Sequence, residues 1–190
     1  EMVRLACEVS AREAAADGVH LTFSPMIDLT RDPRWGRIAE GYSEDTHLMG
    51  IMGAAAVRGY QGETAKELAR PHRIGACVKT FAGYGGPEGG RDYHTVEISE
   101  RTLTEIYITP YHTALNAGAV SLMTAFHDYS GVPATADAGL FTELLRKQWQ
   151  FDGFVVSDWD AIIELIEHGI AQDERAAATL ALNAGVDMEM

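Results

Sequence analysis

The chain has 190 residues, with 15 Lys and Arg against 28 Asp and Glu, so its formal charge is −13 with histidine neutral. Nucleic-acid backbones and anionic membrane surfaces are gripped by clustered basic side chains, which a chain this acidic lacks. Hydrophobic residues at 46% and charged residues at 23% are globular proportions; they exclude disordered, collagen-like and coiled-coil classes and leave material for a sizeable core.

In chain order, Glu1 to Asp17 reads as the middle of a helix, apolar Met2, Leu5, Cys7, Val9, Ala14 and Ala15 being interleaved with charge. It has neither the basic start nor the apolar centre of a signal peptide. Apolar stretches elsewhere are broken by charge before the roughly 18 residues a membrane-spanning helix needs. Strands are predicted near His20 to Asp28, Gly75 to Gly83, Ala119 to His127, Gly153 to Trp159 and Val186 to Met190. Several, such as Phe-Val-Val at 154 to 156, are apolar on both faces, as in a parallel sheet covered by helices. Helices are predicted after Ser43, from Ser99 as N-cap to Gly118 as C′ residue, over Gly139 to Trp149, over Ala161 to His168 and over Asp173 to Ala184. Pro110 predicts a kink or break near Thr109.

Repeated β then α means a doubly wound sheet or a (β/α)8 barrel. Each predicted strand ends in an abrupt polar group: Asp28, Lys79, His127, Asp158 and Glu189. A barrel would gather all five at one mouth, whereas a doubly wound sheet would spread them along a line, so the barrel is the favoured expectation. A complete barrel takes about 250 residues. Residues 1–190 are therefore expected to be a partial barrel domain, an α/β piece truncated at both ends, beginning inside a helix and stopping at a strand end.

Asp158, closing the buried run Gly-Phe-Val-Val-Ser-Asp, must be hydrogen-bonded or functional. It is a candidate nucleophile or base, or else an N-cap beside Ser157 and Asp160. Lys79 after Ala-Cys-Val could bind a hydroxyl, form a Schiff base with a carbonyl substrate, or be a plain surface lysine. The loop Arg31-Asp32-Pro33-Arg34-Trp35-Gly36-Arg37 offers planes that could face a sugar or an anion, or ion pairs with Glu40, Glu44 and Asp45. The run Gly83 to Arg91 has P-loop spacing from Gly85 to Gly90, but Arg91 and Asp92 stand where Lys and Ser or Thr are required. A mobile glycine-rich loop at the barrel mouth is the better account. His94 and His127 are more often structural than catalytic. Cys7 and Cys77, 70 positions apart, read as small buried residues. Zinc-hydrolase spacing and a serine nucleophile elbow are both missing.

Taken together, Phe-Ser-Pro-Met-Ile-Asp-Leu-Thr-Arg-Asp-Pro-Arg-Trp-Gly-Arg at 23 to 37, Glu-Gly-Tyr-Ser-Glu-Asp at 40 to 45, Val-Lys-Thr-Phe at 78 to 81 and Gly-Phe-Val-Val-Ser-Asp-Trp at 153 to 159 resemble glycoside hydrolase family 3, of the β-glucosidase and β-xylosidase type. The resemblance implies an N-terminal TIM-like barrel and a retaining, exo-acting mechanism without metal or organic cofactor. By position it makes Asp158 the nucleophile and Arg37, Lys79 and Arg91 ligands of sugar hydroxyls, with Met123 and Trp159 bordering the sugar. Those cations are expected to keep the Asp158 pKa low. It also implies an acid/base from a C-terminal domain absent here, a small glycoside as the partner, and periplasmic or secreted placement. Thr80 stands where the family commonly has histidine, and Phe126 where it often has tyrosine. The lack of a histidine-bearing loop after Lys79 argues against the N-acetylglucosaminidase branch. The rival readings are a Schiff-base aldolase using Lys79 and a sugar-binding fragment without turnover.

Overall fold

This computed structural model describes residues 1–190, the side chain of Ala65 apart. Helix α1 (Met2–Ala16) turns Cys7 and Ala11 inward and lies against α2 (Thr46–Gln61). The two approach closely at Gly59, where a Cβ would stand 2.5 Å from the Arg4 carbonyl oxygen. Helix α2 starts at Asp45, whose carboxylate accepts the Leu48 N–H at 2.7 Å. A short helix, α3 (Ala65–Leu68), follows.

Strands β1 (Leu21–Thr22), β2 (Gly75–Phe81), β3 (Ser121–Thr124) and a later strand at Phe154–Val156 form one parallel sheet. Their spatial order is their sequence order. Beyond the last of them, Met188 forms a parallel bridge to Val156, so the predicted fifth strand joins the same edge. A doubly wound sheet must reverse direction at a switch point, and this sheet does not, which decides between the two predicted topologies. The result is an open arc of consecutive β/α units. A separate hairpin, β4 (Asp128–Tyr129) and β5 (Val132–Pro133), lies in the loop after β3; the strand Phe154–Val156 is therefore β6. The third strand predicted over Ala119 to His127 is shorter, Ser121–Thr124, and ends ahead of that hairpin.

Between β2 and β3 runs α4 (Glu100–Thr102), capped by the Ser99 hydroxyl accepting from the Thr102 N–H, and then α5 (Thr109–Asn116). They are joined by wider π-helical turns over Leu103–Ile108. Pro110 has no N–H to offer the preceding turn, and the predicted kink or break near Thr109 takes the form of this widening, which ends at Ile108 with the chain still helical. The stretch Gly139–Gln148 also winds as a π-helix. Helices α6 (Glu164–Glu167) and α7 (Glu174–Ala184) close the chain, α7 capped by Asp173 and ended by Gly185 at φ 117°.

The sheet's two faces differ. Ala76, Val78, Leu122 and Val155 pack into the main core beneath the helices. Cys77, Met123 and Val156 face the other way, in a small cluster bordered by Leu21, Phe154 and Met190. At the amino ends of the strands the side chain of Gln61 serves three backbone groups. Its Oε1 accepts from Ala76 N–H at 2.8 Å and Val120 N–H at 3.1 Å, while Nε2 donates to the Gly118 carbonyl at 2.6 Å.

Candidate active site

Successive residues of a strand alternate between faces, so Lys79 follows Cys77 onto the inner face and Asp158 lies just beyond Val156. The charges of both act on the Cys77 thiol, which burial pushes up to about 11. Asp158 is itself partly buried. Its Oδ1 accepts the Trp159 N–H at 2.7 Å.

Arg37 comes from a 3-10 turn, Gly36–Glu40. The turn lets Arg37 and Glu40 pair: Nε donates to Oε1 at 2.7 Å and a terminal nitrogen to Oε2 at 3.3 Å. Lys79 Nζ approaches the same Oε2 at 3.6 Å. Glu40 thus braces two cations, and the Arg37 hydrogen bond chiefly holds its pKa below the usual value. Under the Arg37 guanidinium, 5.4 Å from its centre, lies the Tyr84 ring. That ring is fixed edge-on by buried Trp35 at 5.1 Å. The Asp92 carboxylate accepts from Trp35 Nε1 at 2.7 Å and from the Tyr84 hydroxyl.

Burial raises the Asp158 pKa above the ordinary carboxylate value, opposed by the Trp159 N–H and then by Lys79 and Arg37. The two cations act as expected, but desolvation outweighs them. Arg91 has no part in that balance. It is exposed, and its Nε donates to the Glu88 carbonyl at 3.2 Å.

Of the five strand-end groups expected at one mouth, the structure brings together Lys79 and Asp158. Asp28 is 2% exposed beneath the helices, receiving hydrogen bonds from the Thr80 and Tyr111 hydroxyls. His127 is buried and stacked 5.2 Å from Tyr84, and burial pushes its pKa down to about 4. Glu189 is exposed. Trp35 packs in the core, leaving no indole plane of that loop to face a sugar. The glycine-rich loop is packed down: a Cβ on Gly85 would stand 2.1 Å from the Leu29 carbonyl oxygen, and one on Gly90 2.7 Å from the Arg34 Cβ. Thr80 aims its hydroxyl at Asp28, so it supplies nothing to the inner face in place of a histidine. Phe126 stacks on Tyr93 at 4.7 Å. Met123 lies in the inner cluster below Lys79 and Asp158, and Trp159 is 68% exposed beside the carboxylate. Among the described residues no three His, Cys, Asp or Glu side chains gather as a metal site.

A cleft of about 510 Å³ runs along Asp28, Thr30, Arg31, Pro33 and Tyr42. It includes neither Lys79 nor Asp158.

Burial raises Asp28 from 3.8 to about 7, against the pull of Thr80, Tyr111, Arg37 and Lys79. The folded chain therefore holds this proton more tightly than the unfolded chain. That stabilisation is complete below about pH 4 and is lost as the pH rises through about 7. Its size is of the order of 4 kcal/mol. Denaturant midpoints measured across this window should fall with rising pH for the native protein and lose that slope in Asp28→Asn. An unchanged slope in the variant would show that another group carries it.

Residues 1–190 match, over their full span, the model of the glycosyl hydrolase family 3 N terminal domain. The chain belongs to glycosyl hydrolase family 3. A periplasmic beta-glucosidase of Salmonella typhimurium is 47% identical to it over 190 residues, covering 100% of this chain and 24% of that protein. A putative beta-xylosidase of Formosa agariphila is 38% identical over 192 residues, covering 100% and 25%. A beta-glucosidase of Listeria innocua solved with glucose superposes with a TM-score of 0.97 at 48% identity, covering 100% of this chain and 26% of that one. This member of family 3 thus spans about a quarter of the length of the relatives it matches. The superposition identifies the open parallel arc as part of the family's TIM-like N-terminal domain.

Proposed function

We propose that the protein is a retaining, exo-acting β-glycosidase of the β-glucosidase or β-xylosidase type, with Asp158 as nucleophile. The observation that carries this reading is the grouping of Asp158, just past β6, with Lys79 of β2, the strand on the other side of β3, and with Arg37 of the 3-10 turn, both cations acting on its carboxylate. The Trp159 N–H holds Oδ1 and leaves Oδ2 to attack. Oδ2 bonds to the anomeric carbon as the bond to the leaving oxygen breaks, and a carboxylic acid about 5 Å away protonates that oxygen. Water then attacks the glycosyl-aspartate, giving up its proton to the same residue and releasing the sugar with its configuration retained. That acid/base belongs to a C-terminal domain outside residues 1–190. Lys79 and Arg37 donate to sugar hydroxyls, with Arg91, exposed at the end of the glycine-rich loop, a further donor. Met123 floors the pocket and Trp159 borders it. The glucose-bound Listeria innocua relative supports a terminal sugar as occupant.

Lys79 Nζ is engaged by the Glu40 carboxylate at 3.6 Å, a partner that a Schiff-base lysine would have to leave before attacking a carbonyl. This weighs against the aldolase reading.

The direct test uses an aryl 2-deoxy-2-fluoro-β-glycoside with a good leaving group, offered as glucoside and as xyloside. The fluorine slows hydrolysis of the covalent intermediate, so the mass of one sugar should accumulate on the peptide that contains Asp158. Label on a different carboxylate, or rapid turnover of an unfluorinated substrate with no trapped species, would refute the assignment.

A further inference from the structure

Lys79 and Thr80 are adjacent but serve opposite faces of β2, and what holds Thr80 bears on where Lys79 points. Thr80 has φ 53°, a left-handed conformation that a β-branched residue rarely adopts. Its hydroxyl donates to Asp28 Oδ2. The Tyr111 hydroxyl oxygen lies 2.8 Å from Asp28 Oδ1 and 2.9 Å from the Thr80 carbonyl oxygen. All three residues are buried, at 2%, 0% and 0% exposure for Asp28, Thr80 and Tyr111.

The hydrogens in this cluster can be counted. A hydroxyl has one to donate, so the Tyr111 hydroxyl cannot fully satisfy both acceptors. Were Asp28 ionised, either its Oδ1 or the Thr80 carbonyl would face an oxygen without a proton between them, inside the protein. One more proton, on Oδ1, resolves this. Asp28 then donates to the Tyr111 oxygen, Tyr111 to the Thr80 carbonyl, and Thr80 back to Asp28 Oδ2, so every short contact carries one hydrogen. The groups acting on Asp28 are Thr80 and Lys79 from β2, Tyr111 from α5 and Arg37 from the 3-10 turn; α2 meets the neighbouring Ile27 through Gly53.

We propose that Asp28 is a positioning residue whose bound proton closes this ring and holds Thr80, and with it Lys79, in the geometry that grips a sugar hydroxyl. Loss of the proton opens the ring and loosens the end of β2, so sugar binding weakens as the pH rises. Burial places that loss at about 7. The inference rests on Lys79 being a hydroxyl ligand, as proposed above.

The test measures kcat and KM of the protein, as encoded by its gene, on dinitrophenyl β-glucoside and β-xyloside at pH values on both sides of about 7. Their leaving group departs without acid assistance, which removes the titration of the acid/base from the first chemical step. For the native protein kcat/KM should fall on the alkaline side by about tenfold to a hundredfold, the value of one charge-assisted hydrogen bond. In Asp28→Asn the amide N–H replaces the carboxyl proton at every pH, and the alkaline fall should disappear. Tyr111→Phe leaves the ring open, so its kcat/KM should already be low on the acid side and vary little with pH. Circular dichroism at each pH keeps loss of folded protein separate from loss of affinity.

An alkaline fall that persists in both variants would overturn the proposal, as would an Asp28→Asn protein that is folded but crippled at acid pH. If Asp28→Asn does not fold, Tyr111→Phe alone decides: a native-like profile overturns the ring. Lys79→Ala separates the two levels of inference. A tenfold or greater loss there supports the hydroxyl-ligand reading whatever happens at Asp28, and a native kcat/KM removes that reading and the ring's role with it.

Discussion

Replacing Asp158 by asparagine should lower kcat on an unactivated β-glycoside by at least about ten-thousandfold, because the covalent route is lost and the amide cannot attack the anomeric carbon. The sugar-binding groups remain, so KM should move far less than kcat. Asp158→Gly sharpens the test: added azide can enter the vacated space and attack from the same face, giving a glycosyl azide of inverted anomeric configuration. Rescue without inversion, or a kcat within tenfold of the native value in Asp158→Asn, would mean that the attacking group is elsewhere. Both outcomes are read by stopped assays and product NMR. The neighbouring Trp159 is 68% exposed, so its indole supports no core, and effects at position 158 will not be confused with unfolding through that side chain.

The second large effect is structural. Trp35→Ala should cost about 3–5 kcal/mol, since a fully buried indole is deleted and its surroundings relax only in part. For a domain of this size that corresponds to a fall in Tm on the order of 10 °C. The loss reaches the site by a short chain of contacts, because Trp35 fixes the Tyr84 ring over which Arg37 lies and shares Asp92 with the Tyr84 hydroxyl. Trp35→Phe keeps most of the volume but gives Asp92 no N–H, so a smaller drop in Tm should accompany a measurable rise in KM. Calorimetry together with steady-state kinetics checks both. If Trp35→Ala melted within about 1 °C of the native protein, the tight packing of this loop would be refuted.

Apolar run and helical period predicted the elements well, because in a parallel sheet the burial of both faces is written directly into the strand. Gly-Ala-Cys-Val, Val-Ser-Leu-Met and Phe-Val-Val all became adjacent strands. The same rule failed where pairing ends early: apolar Met26, Ile27 and Leu29 are buried without a strand partner, because burial in a loop core looks identical to burial in a sheet. Two of the candidate groups, Lys79 and Asp158, come together at the inner face. Asp28 and His127 had the same kind of sequence position and turned inward instead. No local pattern distinguishes the two cases, since the choice depends on Tyr111 and Tyr84, residues remote in sequence that supply a hydroxyl to one and a ring to the other. Tyr111 was legible only as part of an apolar helical stripe, and its hydroxyl within that stripe was the one available hint. Glu40 was legible as an ion-pair partner of the arginine loop, but its link to Lys79 required the fold.

The role of Gln61 separates the two ends of the sheet. One primary amide anchors the entry points of two neighbouring strands and the turn between them, so the amino-terminal rim is tied down by a side chain that must both donate and accept. Architecture of this kind leaves selection free to rewrite the opposite rim, loop by loop, and to change the accepted glycoside without renegotiating the scaffold.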